Sequence, residues 1–432
     1  MRILFVSEDV TLAQVVRLVV LARSLKPSQH EIHFACRYFD ELVFKPNEFN
    51  RHTIHTVDRE VVHKALARGK RLYDKRTLRK YIRQEIALIE AIKPDLIVGD
   101  FRLSLSVSAA ACGVSLATLI NAYWSPHAVR DSFPLPDHPI INVVGEEMAT
   151  RYFPIAIPKV FEHFARPINA LRKEFGLTKL GSLLEVLTHG DHTLYPDVPA
   201  LAPIEDLPDS HRYIGPVLWS PDVPLPRWWS QWSENSANGR EARPRVYVTM
   251  GSSGNVSALS VVLEALAELP VSVAVATAGR TDLGSLPETV QAAEFVPGHL
   301  ASERASLVIS NGGSTTGYQA LRAATPVLGI ASNLDQHLAM TAIEERGAGI
   351  RLRAQGLRAD AVRASVRAIL DTDDYFESAR RVAEEFERWD SAAIFSRFIA
   401  SMVHPDPSRR DDTKLPRQAG GPSYQRVSET VS

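Results

Sequence analysis

The chain has 432 residues, the length of two or three domains at ~100–200 residues each. Lysine and arginine sum to 49 and aspartate and glutamate to 50, so the net charge of −1 removes the electrostatic argument for a nucleic-acid binder. Apolar residues make up 45% and the only thiols are Cys36 and Cys112, which excludes a disordered chain, a disulfide scaffold and a four-thiolate metal site.

The first apolar run, Ile3–Val6, is followed at once by Ser7, Glu8 and Asp9. It is too short for the core of a signal peptide and reads as a buried strand. Val15, Val16, Leu18, Val19, Ala22 and Leu25 then form a helical stripe. Further strands are expected at Ile32–Ala35, Leu96–Val98 and Leu116–Ile120. The stretch from Leu103 to Val129 has no formal charge, yet its serines, Thr118 and Asn121 make it a helix and a strand, not a membrane span. Strands alternating with helices predict an α/β chain with a parallel sheet covered on both faces. The expected compartment is the cytoplasm.

Between Arg59 and Arg83 ten basic residues face only Glu60 and Asp74, a local charge of +8. Such a helical segment is either a solvated face or a surface for an anionic membrane or acceptor, which would place the protein at the inner membrane face. The aromatic loop Asn121–His127 follows a strand. Its Tyr123, Trp124 and His127 are acceptor-binding candidates, with core packing the other reading of the two aromatics.

Residues 196–244 hold nine prolines and four tryptophans, and read in part as a linker. A second alternating pattern starts at Arg245. It runs through strand Val246–Met250, turn Gly251–Gly254, helix Ala258–Leu269 and strand Val271–Ala276. Strand Leu307–Ser310, turn Asn311–Gly313, helix Thr315–Ala324, strand Val327–Ile330 and helix Gln336–Arg346 follow. The predicted division is an N-terminal domain over 1–205, a linker over 206–244 and a C-terminal domain over 245–373. A helical region over 374–403 and a disordered tail over 404–432 complete it.

A strand that feeds Asn311-Gly312-Gly313 and opens a helix at Ser314-Thr315 has the makings of an anion site. Glycines admit close approach, and free N–H groups with the helix dipole favour a diphosphate. Gly-Gly also serves as a plain tight turn. Asp335-Gln336 lies beyond the next strand and therefore on the same sheet edge, where ligands of open α/β sheets sit. Its acid and amide suit sugar hydroxyls. Asp335 as a helix cap is the alternative.

These blocks, with Phe295-Val296-Pro297-Gly298-His299-Leu300, Pro326 and Glu345-Arg346-Gly347-Ala348-Gly349, resemble the donor signature of family 1 nucleotide-sugar glycosyltransferases. Lys93 to Asp100 resembles the family's acid-ended strand. The resemblance implies a GT-B fold, two Rossmann-like domains facing across a cleft. It implies an inverting, metal-independent transfer of a sugar from a nucleoside-diphosphate sugar to a hydroxyl of a lipid or secondary metabolite, with no resident cofactor. Val296 would hold the base by its backbone. Gly251 and Ser252 would approach the diphosphate, as would Asn311, Gly312, Gly313, Ser314 and Thr315. Asp335 and Gln336 would hold the sugar.

Two positions depart from the family. Asn311 stands where a histidine is usual, and it can donate but never be cationic. Gln14 stands where the family's general base is expected, and glutamine has no useful basicity. The resemblance leaves Asp100 and Asp9 as candidate bases. The rival readings are a nucleotide-sugar epimerase of the same architecture and a non-catalytic partner protein.

Overall fold

The computed structural model describes residues 1–66, 68–233, 243–251, 256–279, 286–287 and 289–403, with His63 and Val256 described by backbone alone. The expected tail over 404–432 lies outside the described residues.

The short apolar runs become strands because both of their faces are covered, the condition under which parallel strands lose polar alternation. In the N-terminal half these are β1 Arg2–Ser7, β2 Glu31–Cys36, β3 Asn50–Thr53, β4 Leu96–Asp100, β5 Ser115–Leu119, β6 His192–Tyr195 and β7 His211–Tyr213. They form one parallel sheet in the order β3-β2-β1-β4-β5-β6-β7. In the C-terminal half, β8 Arg245–Thr249, β9 Ser272–Ala276, β10 Val290–Ala293, β11 Leu307–Ser310, β12 Val327–Ala331 and β13 Gly349–Arg353 pair in the order β10-β9-β8-β11-β12-β13, again all parallel. In each sheet the order reverses beside the first strand, between β1 and β4 and between β8 and β11. That switch point opens a crevice at the carboxyl ends of the strands.

Two expectations are corrected. The segment read as linker contains β7, so the first sheet extends past residue 205; it also contains the helix Trp229–Ser233, whose Trp232 is buried in the second domain. Tryptophans and prolines there pack against folded surface. The helical region over 374–403 consists of two helices, Asp373–Glu387 and Ser391–Val403. The basic segment is not one helix. It divides into Arg59–Leu66 and Lys75–Ile92, the second capped by Asp74, whose Oδ1 accepts from the Thr77 amide at 2.7 Å. Lys75 and Arg79 are tied to Glu174, at 2.5 and 2.7 Å. The uncharged stretch after Leu103 is the helix Leu105–Cys112 followed by β5, as expected.

The final helix returns to the first domain. Phe395, Phe398 and Ile399 are buried in the core that holds Phe5, Leu18 and Leu21. The rings of Phe5 and Phe395 lie 6.2 Å apart, and Ser396 Oγ donates to the carbonyl of Ser24 at 3.0 Å. The chain's last described element thus completes its first core. Phe395→Ala should cost about 3–5 kcal/mol, the range for truncating a buried aromatic. Urea denaturation followed by fluorescence checks it, and a loss under 1 kcal/mol would mean the last helix is dispensable to that core.

Candidate active site

A cavity of about 790 Å³ runs between the two domains. Its C-terminal wall is the strand-end edge of the second sheet. Thr249, Gly251, Val296, Asn311, Gly313, Ser314, Thr315, Asp335 and Gln336 all line it. The sequence-predicted donor residues are therefore brought together, apart from Ser252, which lies outside the described residues, and Gly312, which sits just behind the wall. Gly312 has φ +77°, and a Cβ there would meet Met340 Cγ at 2.8 Å, so the turn needs glycine. Gly313 differs. A Cβ there would meet only Asn311 Oδ1, at 3.4 Å, leaving the rest of the space open to the cleft. The helix Ser314–Arg322 begins without a side-chain cap, so its first amides face that space.

Gln336 is 2% exposed. Its Oε1 accepts from the Ser332 amide and hydroxyl, both at 2.9 Å, while its Nε2 is buried without a partner in a residue that lines the cavity. A buried amide with idle donors is costly unless a ligand satisfies it. Asp335 is engaged across the domain boundary. Its Oδ1 accepts from Trp124 Nε1 at 2.8 Å and from the Tyr123 hydroxyl at 3.2 Å. Tyr123 and Trp124 are buried core residues, the packing reading of those aromatics, and Trp124 also lines the cavity. His127 is exposed and does not line the cavity; its ring stands edge-on to His211 at 6.2 Å. It is withdrawn as an acceptor contact.

The N-terminal wall is apolar. Leu12, Leu42, Val62, Leu66, Leu72, Phe101, Trp124, Phe153, Ile157 and Phe161 are among its residues. Among the described residues, the carboxylates lining the cavity are Asp40, Glu294 and Asp335.

The floor between the walls is a polar chain that sequence reading missed. Arg17 grips Asp100 with two nitrogens, Nε to Oδ2 at 2.9 Å and Nη2 to Oδ1 at 2.8 Å, and donates from Nη1 to Asn121 Oδ1 at 2.6 Å. Asn121 Nδ2 donates to Asp197 at 2.9 Å, and Asp197 also accepts from the Ala122 amide at 2.6 Å and the Tyr318 hydroxyl at 2.5 Å. Tyr318 belongs to the Ser314 helix, so the chain joins the donor wall to β4. Burial pushes the Asp100 carboxyl up to about 6, against the pull of Arg17.

A family model described as Erythromycin biosynthesis protein CIII-like, C-terminal domain, matches residues 260–391. A PGL/p-HBAD biosynthesis glycosyltransferase of Mycobacterium tuberculosis (strain ATCC 25177 / H37Ra) is 47% identical over 386 residues, which cover 89% of this chain and 88% of that one. A PGL/p-HBAD biosynthesis rhamnosyltransferase of Mycobacterium bovis (strain BCG / Pasteur 1173P2) is 45% identical over 415 residues, 96% of this chain and 90% of that one. The chain belongs to the family 1 nucleotide-sugar glycosyltransferases. Its fold is GT-B. Spinosyn rhamnosyltransferase SpnG superposes with a TM-score of 0.68 at 20% identity, over 92% of this chain and 100% of that one, and has been solved with thymidine diphosphate and with spinosyn aglycone. Glycosyl transfer, not epimerisation or a non-catalytic role, is the activity these relatives support.

In this glycosyltransferase neither expected base is presented to the cavity. Asp100 is fully buried and both its oxygens are held by Arg17. Asp9 sits at φ +54° outside the cavity lining, where its Oδ2 accepts from the Tyr38 amide at 3.3 Å and Arg59 lies 4.0 Å away. Gln14 lines the cavity but is spent on the backbone, its Oε1 accepting from the Val10 and Thr11 amides at 3.1 Å each. The signal for Arg17 was present: one cation inside the apolar stripe Val15–Val19 must find a buried acid.

Removing one partner of such a pair leaves an uncompensated buried charge. Asp100→Asn should therefore lower stability by about 3–5 kcal/mol, and the double variant Arg17→Met/Asp100→Leu should recover much of that loss. Chemical denaturation of the single and double variants checks it; additive losses would show that the pair is not a unit.

A second buried cluster lies beside β1. Arg102 donates from Nη1 to Glu8 at 3.1 Å and from Nε to Glu85 at 2.7 Å, so one cation serves two carboxylates. Burial pushes Glu8 up to about 7, with Arg102 opposing. The folded chain then keeps a proton that the unfolded chain releases near ~4.3. Glu8's contribution is full below that value and is lost as pH rises through about 7. Glu8→Gln should flatten the fall in stability between pH 5 and pH 8. Urea midpoints across that range check it, and an unchanged slope would place the titration elsewhere.

Proposed function

We propose an inverting transferase whose donor is a thymidine- or uridine-diphosphate sugar held on the second domain, and whose acceptor is an apolar molecule held on the first. Rhamnose is the first candidate sugar, because one relative is named a rhamnosyltransferase, and an acceptor of the PGL/p-HBAD kind fits the apolar wall. The observation that carries this reading is a single cavity that joins the open turn at Gly313, the idle Gln336 amide and that wall.

The diphosphate would meet the first amides of the Ser314 helix, which favour negative charge as it develops on the leaving group. No metal enters this proposal. Among the described residues, no group of three His, Cys, Asp or Glu could hold an ion. Asp335 and Gln336 would hold the sugar, as the resemblance implied. Asp100 acts as a positioning residue, fixing Arg17 in the floor. Arg17 cannot accept a proton and Gln14 has no basicity, so proton removal is assigned to a carboxylate that lines the cavity: Asp40, Glu294 or Asp335. We place the enzyme in the cytoplasm, where nucleotide sugars would reach it. No helix among the described residues is long and apolar enough to cross a membrane.

Calorimetry with thymidine diphosphate and its rhamnose conjugate tests the donor site. Gly313→Val should fold yet abolish binding of both, because the branched side chain fills the space the phosphates need. Asp335→Asn should keep the nucleoside diphosphate within about twofold. It should weaken the sugar conjugate about tenfold or more, the scale of one charged hydrogen bond at ~1.5–3 kcal/mol. Equal losses for both ligands would remove Asp335 from the sugar site. Of Asp40→Asn, Glu294→Gln and Asp335→Asn, one should lower turnover by ~10²–10⁴. Full turnover in all three would refute a carboxylate base in the cavity.

A further inference from the structure

Of the twelve large apolar side chains that stand exposed among the described residues, six fall within residues 140–155. They are Ile140, Val143, Val144, Met148, Tyr152 and Ile155, with Val143 82% and Ile155 71% exposed. The segment is the short helix Ile141–Val144, a turn at Gly145, and the first part of the helix Glu146–Glu174. On the long helix Met148, Tyr152 and Ile155 recur at spacings of four and three, which is one stripe, and Ile140, Val143 and Val144 of the preceding turn of helix adjoin it in the chain. The opposite stripe, with Ala149, Ile157 and Phe161, is buried. This helix therefore offers an apolar face to the core and a second one to solvent. A second face of this extent is a marker of an interaction surface.

The segment borders the cavity: Ile140 and Phe153 line it, as do Ala156 and Ile157 directly after. Its flank is basic. Arg68, Lys70 and Arg71 are exposed and have no carboxylate within 4 Å among the described residues. Their loop is pressed against the start of the segment: a Cβ on Gly69 would lie 2.5 Å from His138 Nε2. Arg151 and Lys159 are exposed on the helix itself, and its exposed carboxylates without an ion pair among the described residues are Glu147 and Glu162.

We propose that residues 140–155 and the loop 68–71 together form a docking surface for an anionic phospholipid bilayer, against which the mouth of the acceptor cavity opens. The apolar stripe enters the boundary between headgroups and acyl chains while the adjoining cations meet the lipid phosphates, the arrangement of an interfacial helix. An acceptor with a lipid tail could then pass from the bilayer to the cavity along a continuous apolar path. The proposal rests on the reading of the cavity as an acceptor chamber. It also moves the membrane contact from the whole basic segment to its loop, because Lys75 and Arg79 are occupied by Glu174.

Co-sedimentation of the full chain with vesicles tests it, alongside calorimetry with thymidine diphosphate as an independent check on the donor site. Phosphatidylcholine vesicles with and without one-third phosphatidylglycerol serve as the two probes. The chain should bind the anionic vesicles, at least tenfold more weakly at ten times the salt because the Debye length shrinks. Val143→Asp/Ile155→Asp and Arg68→Glu/Arg71→Glu should each lower that binding at least tenfold and leave nucleotide affinity unchanged. Failure of the wild type to bind anionic vesicles at low salt would overturn the docking surface, as would undiminished binding by either double variant. A wild-type dimer in gel filtration that Val143→Asp/Ile155→Asp dissociates, with no vesicle binding, would assign the stripe to a second copy and overturn it too. Loss of nucleotide binding in the wild type would instead refute the function reading while leaving the vesicle result to stand by itself.

Discussion

A guanidinium that cannot be deprotonated and a carboxylate with no exposed surface hold the floor of the cleft. Both oxygens of Asp100 are taken by Arg17, and the free end of Arg17 reaches Asn121. From there Asp197 carries the chain to Tyr318 on the donor wall. Each link satisfies a group that would be expensive to bury alone. Each also fixes a part of the site: the end of β4, the loop of Tyr123 and Trp124, and the helix that opens at Ser314. A pair of this kind adds little net stability over well-packed apolar residues, but it tolerates no half-measures. Its value here is registration, because its members come from elements far apart in sequence and from both domains.

That registration depends on how the two sheets meet. Each is doubly wound with its switch point beside its first strand, so each offers an open crevice at the strand ends. Facing the crevices produces the cavity. Two crossings hold them face to face. The segment after β7 carries Trp219 past the donor helix, where Gln319 Nε2 donates to its carbonyl, and plants Trp232 in the second core. The final helix returns Phe395 and Phe398 to the first core. Relative motion of the domains is therefore coupled to packing in both.

Much of this was legible in the sequence. Four short apolar runs in the first half became β1, β2, β4 and β5 because strands buried on both faces show little else. The donor wall was legible because its constraints are backbone constraints. Gly312 adopts φ +77°, and Gly313 borders open space. β7 was hidden because three residues give no period, and β3, with Asn50, Arg51 and Thr53 exposed, carries no apolar run. The polar floor was hidden for another reason. Arg17 left a trace, as a cation inside an apolar stripe, but Asn121, Asp197 and Tyr318 are single residues whose meaning is pairwise, and their spacing along the chain carries no signal. His127 misled because proximity in sequence to Trp124 does not carry it around the turn at Ser125 and Pro126, which sends it to the surface.

The departure at Gln14 gains a physical sense from the same pair. A neutral histidine beside an acid can take up a proton and be stabilised as a cation by that acid. Arginine beside the same acid is a cation already, and the acid beneath it can be protonated only by surrendering two charge-assisted hydrogen bonds. Glutamine at position 14, freed from any proton-transfer duty, closes the entry to the first helix by binding two amides. The floor is thus built from groups that hold position. In the reading proposed above, the proton travels toward the walls, where the carboxylates of the cavity stand.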